Sequence, residues 1–215
     1  MVPGRRSLVA CNITMLIVKS KFKIAKRLGA AIFEKTQTQK FALSETRAKK
    51  PRGRAGSDFG KQLLEKQRVR YTYGLAERQL SKYAHAAFEE KDPSLQLYRA
   101  LEMRADGVLY RAGFASTRRA ARQAVSHGHV TINDVRITTP SVRLRKGDVL
   151  KIREGNRKSP LYAGLAESKG ENTRAVPQWL SVDVNLLRVE VTGEPQYNVV
   201  EVGLDLPTVF EFYSR

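Results

Sequence analysis

The chain has 215 residues and a formal net charge of +18, from 39 Lys and Arg against 21 Asp and Glu. This excess favours a polyanionic partner, of which nucleic acid is the commonest. One cysteine, Cys11, excludes an internal disulfide and a zinc site of several cysteines. No apolar run reaches the roughly 18 residues that span a bilayer. The net charge is +14 in residues 1–70, +7 in 71–153 and −3 in 154–215, so we expect the partner to contact the first two thirds.

The first residues resemble a signal peptide only in part. Two arginines precede an apolar stretch that ends at Val18, but Asn12 interrupts this stretch. Lysines follow it, where small residues should mark a cleavage site. The simpler interpretation is that translation starts at Met15 and that residues 1–14 are not native.

Residues 1–57 are predicted to be a basic N-terminal arm. The part from residue 15 shows little apolar periodicity, and the stretch 47–57 combines many Lys and Arg with Gly and Pro. Such a composition cannot bury enough apolar surface to fold alone. The arm is either a solvated tail or a segment that is mobile in the free protein and becomes ordered on a polyanion.

The next segment, 58–103, is predicted to be a helical domain. Ser57 or Asp58 can cap its first helix, and Gly74 lies just past the end of that helix. A second amphipathic helix covers 75–91, and a third begins after the break at Asp92-Pro93.

The pattern changes after residue 104. A short helix ends at Gly113, and Ser116 or Thr117 caps another helix over 117–127 that Gly128 ends. Alternating apolar residues surround Asn133-Asp134, a two-residue hairpin signal. A turn at 146–148 precedes a third strand, and "WLSVDV" and "LLRVEV" indicate two more. The predicted fold class is α+β, with two small helices packed on an antiparallel sheet beside a basic helical domain.

The helix over 117–127 carries three arginines, and two interpretations stay open. Ala121, Ala124 and Val125 fall on one side, whereas Arg118 and Arg122 follow each other at i, i+4 on another. The arginines are either a solvated face or a row that tracks a phosphate backbone. In both cases we expect their replacement by alanine to leave the fold nearly intact.

The triplet His127-Gly128-His129 admits four interpretations: a metal site, a catalytic histidine, a helix end without function, or a nucleic-acid contact. Two ligands are too few for a metal site, and no nucleophile motif accompanies the histidines. The stretch 56–61 has the wrong spacing for a nucleotide-phosphate loop. We therefore expect no metal, no cofactor and no catalytic residue. An imidazole at a helix end can donate to a phosphate or stack on a base.

Four stretches together resemble one family. The stretch "RADGVLYRAGFASTRRAARQAVSHGHVTIN" (104–133) resembles the S4 RNA-binding domain. Three more, at 63–83, 176–183 and 211–215, resemble other parts of the small-subunit ribosomal protein S4 family, and the resemblance covers roughly 15–215. The chain departs from the family pattern at Ala105, Gly107 and Asp134, and it lacks the zinc-binding cysteines of many bacterial relatives. We expect the first two departures to weaken helix packing slightly and the third to weaken the hairpin turn.

The resemblance implies a structural, non-enzymatic protein of the small ribosomal subunit in the cytoplasm, with an organellar ribosome as the alternative. Its implied partners are small-subunit rRNA, ribosomal proteins S5 and S3, and mRNA at the entry channel, with roles in assembly and decoding accuracy. An RNA-modifying enzyme or a free stress factor is the competing class, although little chain remains for a catalytic domain. The implied domains are the arm 1–57, the helical domain 58–103 completed by 203–215, and the S4-type domain 104–202.

The resemblance also assigns RNA contacts to individual residues. In the arm and the helical domain they are Arg52, Arg54, Lys66, Arg68, Arg70 and Tyr71. In the small domain they are Arg104, Arg111, Ser116, Thr117, Arg118, Arg119, Arg122, Gln123, His127, His129 and Asn133.

Overall fold

The structure is a computed structural model that describes residues 16, 18, 20–41, 44, 57–157, 159–163 and 175–214. Its helices are α1 (Lys21–Leu28), α2 (Asp58–Thr72), α3 (Glu77–Phe88), α4 (Pro93–Glu102), α5 (Ala105–Arg111), α6 (Arg118–Ser126), α7 (Glu154–Arg157), α8 (Pro160–Ala163), α9 (Val199–Val202) and α10 (Leu206–Tyr213). Its strands are β1 (Val130–Ile132), β2 (Val135–Ile137), β3 (Val149–Ile152), β4 (Leu180–Asp183) and β5 (Arg188–Val191). The predictions for residues 1–14, Met15, Cys11, 47–56, Arg52 and Arg54 fall outside the described residues.

Helices α2, α3, α4 and α10 form a helical unit around one apolar core. The side chain of Ser57 caps α2 by accepting from the Gly60 amide, and Gly74 follows the helix with φ 62°. Pro93 begins α4, where its missing N–H costs nothing. The C-terminal helix α10 closes the core, whose fully buried aliphatic members include Val69, Leu75, Leu80, Leu97, Leu101, Leu206 and Val209.

The second unit packs α5 and α6 on a five-stranded sheet of order β2-β1-β3-β5-β4, with every pair antiparallel. The β1–β2 hairpin closes at Asn133 and Asp134, whose φ values of 47° and 65° are those of a type I′ turn. Asp134 adopts the left-handed region less readily than glycine, as the sequence indicated. The predicted α+β fold class is confirmed.

Residues 21–41 pack as a small third core, so the expectation of little apolar periodicity is wrong for this part of the N-terminal region. Helix α1 is followed by 3-10 turns at Ala30–Ile32 and Glu34–Thr36. The core contains Ala25, Leu28, Ile32, Phe33 and Phe41, with Leu64 and Tyr71 of α2 against it. Spacings of three and four residues from Ala25 to Ile32 are helical periodicity that the surrounding lysines obscured.

Gly107 in α5 permits a close approach, so the expectation that it weakens packing is wrong. A Cβ at this position would lie 2.8 Å from the carbonyl oxygen of Glu102 and 3.2 Å from that of Leu101. Both neighbours are backbone atoms that end α4, so neither can rotate away. Glycine therefore lets α5 begin directly against the end of α4.

We expect Gly107→Ala to lower the free energy of unfolding by about 1–3 kcal/mol, the usual cost of overpacking. The clash outweighs the roughly 0.5–1 kcal/mol by which alanine favours a helix over glycine. Gly155→Ala in α7 is the matched control, because a Cβ there meets no atom within 4 Å. Urea denaturation of both variants measures the difference, and equal stabilities would contradict the close-approach explanation.

Candidate nucleic-acid interface

Helix α6 is fixed at its start by Thr117, whose Oγ1 accepts from the Ala120 amide at 3.0 Å. Ala121, Ala124 and Val125 are buried in the core of the small domain, as predicted. At about 100° per residue, Arg119 and Gln123 point nearly opposite to Ala121. Both side chains are exposed, so these two residues form the outward face of the helix.

Arg118 and Arg122 do not form that outward face, and the expectation that they do is wrong. The Arg118 side chain is only 15% exposed, and Arg122 is 6% exposed. Arg122 donates from Nη1 to the carbonyl oxygen of Gly74 at 3.1 Å. Both arginines flank the buried stripe of α6, which directs them towards the helical unit.

A buried carboxylate receives Arg118. Glu102 at the end of α4 is 0% exposed, and its Oε1 accepts from Arg118 Nη2 at 2.8 Å and from the Tyr73 hydroxyl at 2.7 Å. Arg111 donates to both oxygens of Glu102, from Nε at 2.7 Å and from Nη2 at 2.9 Å. The Arg118 guanidinium also lies 4.5 Å from the ring centroid of Tyr73 and 4.6 Å from that of Tyr110. We call Glu102, Arg111, Arg118 and Tyr73 the Glu102 cluster.

In this cluster the attraction of Glu102 for two arginines and one hydroxyl outweighs the cost of burying its charge. Burial alone would raise the pKa of Glu102, but Arg118 and the Arg111 and Tyr73 hydrogen bonds outweigh it and lower the pKa to about 2. Burial and the Glu102 charge raise the pKa of Tyr73 well above its usual value. Glu102 is therefore ionised and Tyr73 neutral throughout the physiological range.

Arg104 is likewise engaged inside the protein, at the junction of the two units. It is 2% exposed and pairs bidentately with Asp106, from Nε to Oδ1 at 2.9 Å and from Nη2 to Oδ2 at 2.7 Å. Its Nη1 donates to the Tyr83 hydroxyl at 3.0 Å. Arg104, to which the resemblance assigns an RNA contact, is therefore buried in the free protein and paired there with Asp106.

The candidates in α2 are also held by protein groups. Lys66 donates to Glu77 at 2.9 Å and lies 4.1 Å from the Phe212 ring centroid. Arg68 donates to the carbonyl oxygen of Leu28 at 2.8 Å. The remaining two are Arg70, whose Nη1 lies 3.8 Å from a Glu77 oxygen, and Tyr71, which packs edge-on against Phe33. These side chains hold α2 to its neighbours.

The two histidines lie at the C-terminal end of α6. Arg136, which was not expected from the sequence, lies beside them. The ring centroids of His127 and His129 lie 5.9 Å apart, and His129 Nδ1 lies 3.3 Å from the Tyr162 hydroxyl. Arg136 of β2 donates from Nη2 to the His127 carbonyl oxygen at 3.3 Å. Burial, with the charges of His127 and Arg136, lowers the pKa of His129. His129 is therefore neutral at pH 7, whereas Arg136 supplies a permanent charge.

Asn133 is exposed, but its side chain holds the β1–β2 turn. Its Oδ1 accepts from the Val149 amide and its Nδ2 donates to Asp148, both at 2.9 Å. The side-chain amide of Asn133 therefore joins the β1–β2 hairpin to β3. A contact between Asn133 and RNA would have to share its Oδ1 and Nδ2 with these bonds.

The outward-facing candidates on and beside α6, together with Arg136, define what we call the α6 surface. It consists of Ser116, Arg119, Gln123, His127 and Arg136, all of which are exposed. Among the described residues of the small domain, four more exposed cations lie elsewhere and were not chosen from the sequence; they are Arg143, Arg145, Lys146 and Arg153. A signal for Arg136 existed, because a hairpin closed at Asn133-Asp134 pairs it with Thr131, two residues past His129. A flexible cation on an exposed face can donate to phosphate oxygens without displacing a protein partner.

Within the described residues, no group of three or more His, Cys, Asp or Glu side chains is placed to hold a metal ion. In that same part of the chain, no helix has the length and apolar composition that a membrane crossing requires.

Comparison with known proteins identifies the family. The model for "Ribosomal protein S4/S9 N-terminal domain" matches residues 18–102, and that for "S4 domain" matches 103–150. The chain is 35% identical to the small ribosomal subunit protein uS4 of Borrelia turicatae, with 91% of this chain and 96% of that protein covered. It is 36% identical to the uS4 proteins of a Roseiflexus species and of Persephonella marina, with 90% and 89% of this chain and 96% and 95% of those proteins covered. The chain therefore belongs to the family of small ribosomal subunit protein uS4, a structural and non-enzymatic family.

Proposed function

We propose that the chain is a structural constituent of the small ribosomal subunit that binds small-subunit rRNA directly, in part through the α6 surface. The observation that carries this proposal is the contrast on one helix between Arg118, which is ion-paired with the buried Glu102, and Arg119. Arg119 is exposed and, among the described residues, has no acidic partner. An exposed cation gains the most binding free energy from a phosphate. Counterions are released from the RNA, and no ion pair within the protein has to be broken.

The finer roles rest on the family. By resemblance, the protein nucleates subunit assembly, contacts ribosomal proteins S5 and S3, and supports decoding accuracy near the mRNA entry channel of a cytoplasmic or organellar ribosome. The helical unit and the small domain would each hold a different RNA helix, and the basic residues before 57 would extend the contact. The acidic last third, with a net charge of −3 over 154–215, is suited to protein rather than RNA neighbours.

Salt titration of rRNA binding tests the proposal. We expect the double variant Arg119→Ala, Arg136→Ala to bind small-subunit rRNA more weakly and to lower the slope of log affinity against log salt by about two units, about one for each lost phosphate contact. Folding should be unaffected within about 0.5 kcal/mol, because both side chains are exposed.

Lys91→Ala is the control, because this exposed lysine lies among the exposed carboxylates of Glu89, Glu90 and Asp92, whose negative charge repels phosphate from that part of the surface. Its slope should equal that of the unmodified protein. If the double variant also keeps the full slope, the α6 surface is only a solvated face. If the unmodified protein binds rRNA no better than an unrelated RNA, the proposed function itself fails.

A further inference from the structure

The boundary between the helical unit and the small domain is polar. The apolar core of the helical unit and that of the small domain are two separate clusters. Directional polar contacts join them, among which are the Glu102 cluster, the Arg104–Tyr83 hydrogen bond and the bond from Arg122 to the Gly74 carbonyl. An apolar boundary tolerates sliding, whereas bidentate guanidinium–carboxylate pairs specify distance and angle.

Glu102 stands at the centre of this boundary. It belongs to α4 of the helical unit and accepts four hydrogen bonds, from Tyr73, which directly follows α2, and from Arg111 and Arg118 of the small domain. Arg118 in turn lies between one ring from each unit, Tyr73 and Tyr110. A shift of either unit by about 1 Å would lengthen several of these bonds beyond the normal range at once.

We infer that Glu102 is a positioning residue for RNA binding: it fixes the angle between the two units, and so it strengthens rRNA binding without touching RNA. The inference rests on the proposed function, in which each unit holds a different part of the rRNA. Two binding surfaces that are already oriented lose less conformational freedom when both engage one rigid RNA.

The expected effect of removing the Glu102 charge is opposite to the usual effect of removing an acid. Removing a negative charge from an RNA-binding protein ordinarily strengthens binding, because repulsion from phosphate falls and cations are released for contact. If Glu102 acts by position, its neutralisation weakens binding instead. The salt slope should stay the same, since no phosphate contact is lost.

The experiment compares Glu102→Gln with Glu90→Gln, an exposed acid of the helical unit that lies away from this boundary. Spin labels at Lys82→Cys and Lys146→Cys, in a Cys11→Ser background, report the distance between the units in the free protein. We expect Glu102→Gln to broaden the distance distribution and to weaken binding to small-subunit rRNA by about threefold to thirtyfold, with an unchanged salt slope. Glu90→Gln should leave the distribution narrow and binding equal or slightly tighter.

A narrow distance distribution in Glu102→Gln would overturn the inference. Tighter rRNA binding with a steeper salt slope would also overturn it, because Arg111 and Arg118 would then bind RNA once Glu102 no longer holds them. The distance measurement needs no RNA, so it separates failure of this inference from failure of the proposed function. If Glu102→Gln does not fold, Tyr73→Phe replaces it, since this variant removes one hydrogen bond and keeps both rings around Arg118. The same broadening and weaker binding are expected in Tyr73→Phe, and their absence there is equally decisive.

Discussion

Replacing Arg118 with alanine is expected to lower the free energy of unfolding by about 3 kcal/mol, because it takes one of two cations from a carboxylate that is 0% exposed. It also removes the guanidinium from between the rings of Tyr73 and Tyr110, and such contacts contribute roughly 0.5–2 kcal/mol each when desolvated. Arg111 and Tyr73 continue to donate to Glu102, which keeps the loss at the low end for a broken buried pair. Urea denaturation of the free protein measures the effect.

The neighbouring arginine provides the matched control. Arg119→Ala removes the same side chain one residue further along α6, where it is exposed, and should change stability by no more than about 0.5 kcal/mol. The two variants should therefore separate a structural arginine from an RNA-facing one: Arg118→Ala unfolds more easily, and Arg119→Ala binds rRNA with a lower salt slope. Equal stability losses would mean that the Glu102 cluster contributes nothing specific.

Most of the fold was predictable because its signals are local. Ser57 and Thr117 cap helices, and Gly74 and Gly128 follow helix ends with φ values of 62° and 72°. Asn133-Asp134 closes the expected hairpin. Each of these features depends on the conformational preferences of a few consecutive residues, which a single sequence displays.

The orientation of the α6 arginines was partly predictable. With Ala121, Ala124 and Val125 recognised as the core face, helical geometry already places Arg118 and Arg122 beside that face and Arg119 opposite to it. Arg118 and Arg122 were expected to be exposed because arginine usually is. Their position beside the core face of α6 was the better guide to their burial.

The buried partner of Arg118 was not predictable. Glu102 lies 16 residues before Arg118 in the chain, and Tyr73 lies 29 residues before Glu102. Nothing in the local pattern marks a glutamate at the end of an amphipathic helix as fully buried, because its burial depends on how a second unit packs against that helix. The close approach at Gly107 has the same origin, since it is a contact between α5 and the backbone of α4.

The Glu102 cluster should also give the protein a distinctive acid sensitivity. The pKa of Glu102 is about 2 when folded, against an ordinary value of 4.5, a difference that corresponds to about 3 kcal/mol of stability at neutral pH. Because the folded pKa is the lower one, this stability is fully present above about pH 5. It is lost as the pH falls towards 2, where folded and unfolded chains both bind the proton. The groups that face this carboxylate are Arg111, Arg118, Tyr73 and Tyr98, and none of them titrates in that range.

Glu102→Gln isolates this contribution. Urea denaturation at a series of pH values should show the unmodified protein losing about 3 kcal/mol more than the variant between pH 5 and pH 2. Glu77 also has a lowered pKa: burial raises it, but the hydrogen bonds from Lys66 and Tyr213 outweigh burial. Glu77 is present in both proteins, so its contribution cancels in the comparison.

At neutral pH the variant should be the less stable of the two, because Arg118 and Arg111 then keep their charges without a counter-charge. Near pH 2 the stabilities should converge, since a protonated Glu102 and a glutamine present nearly the same neutral group to the two arginines. Parallel curves across the whole range would show that Glu102 has an ordinary pKa, and that the hydrogen bonds of the cluster rather than its charges hold the two units together.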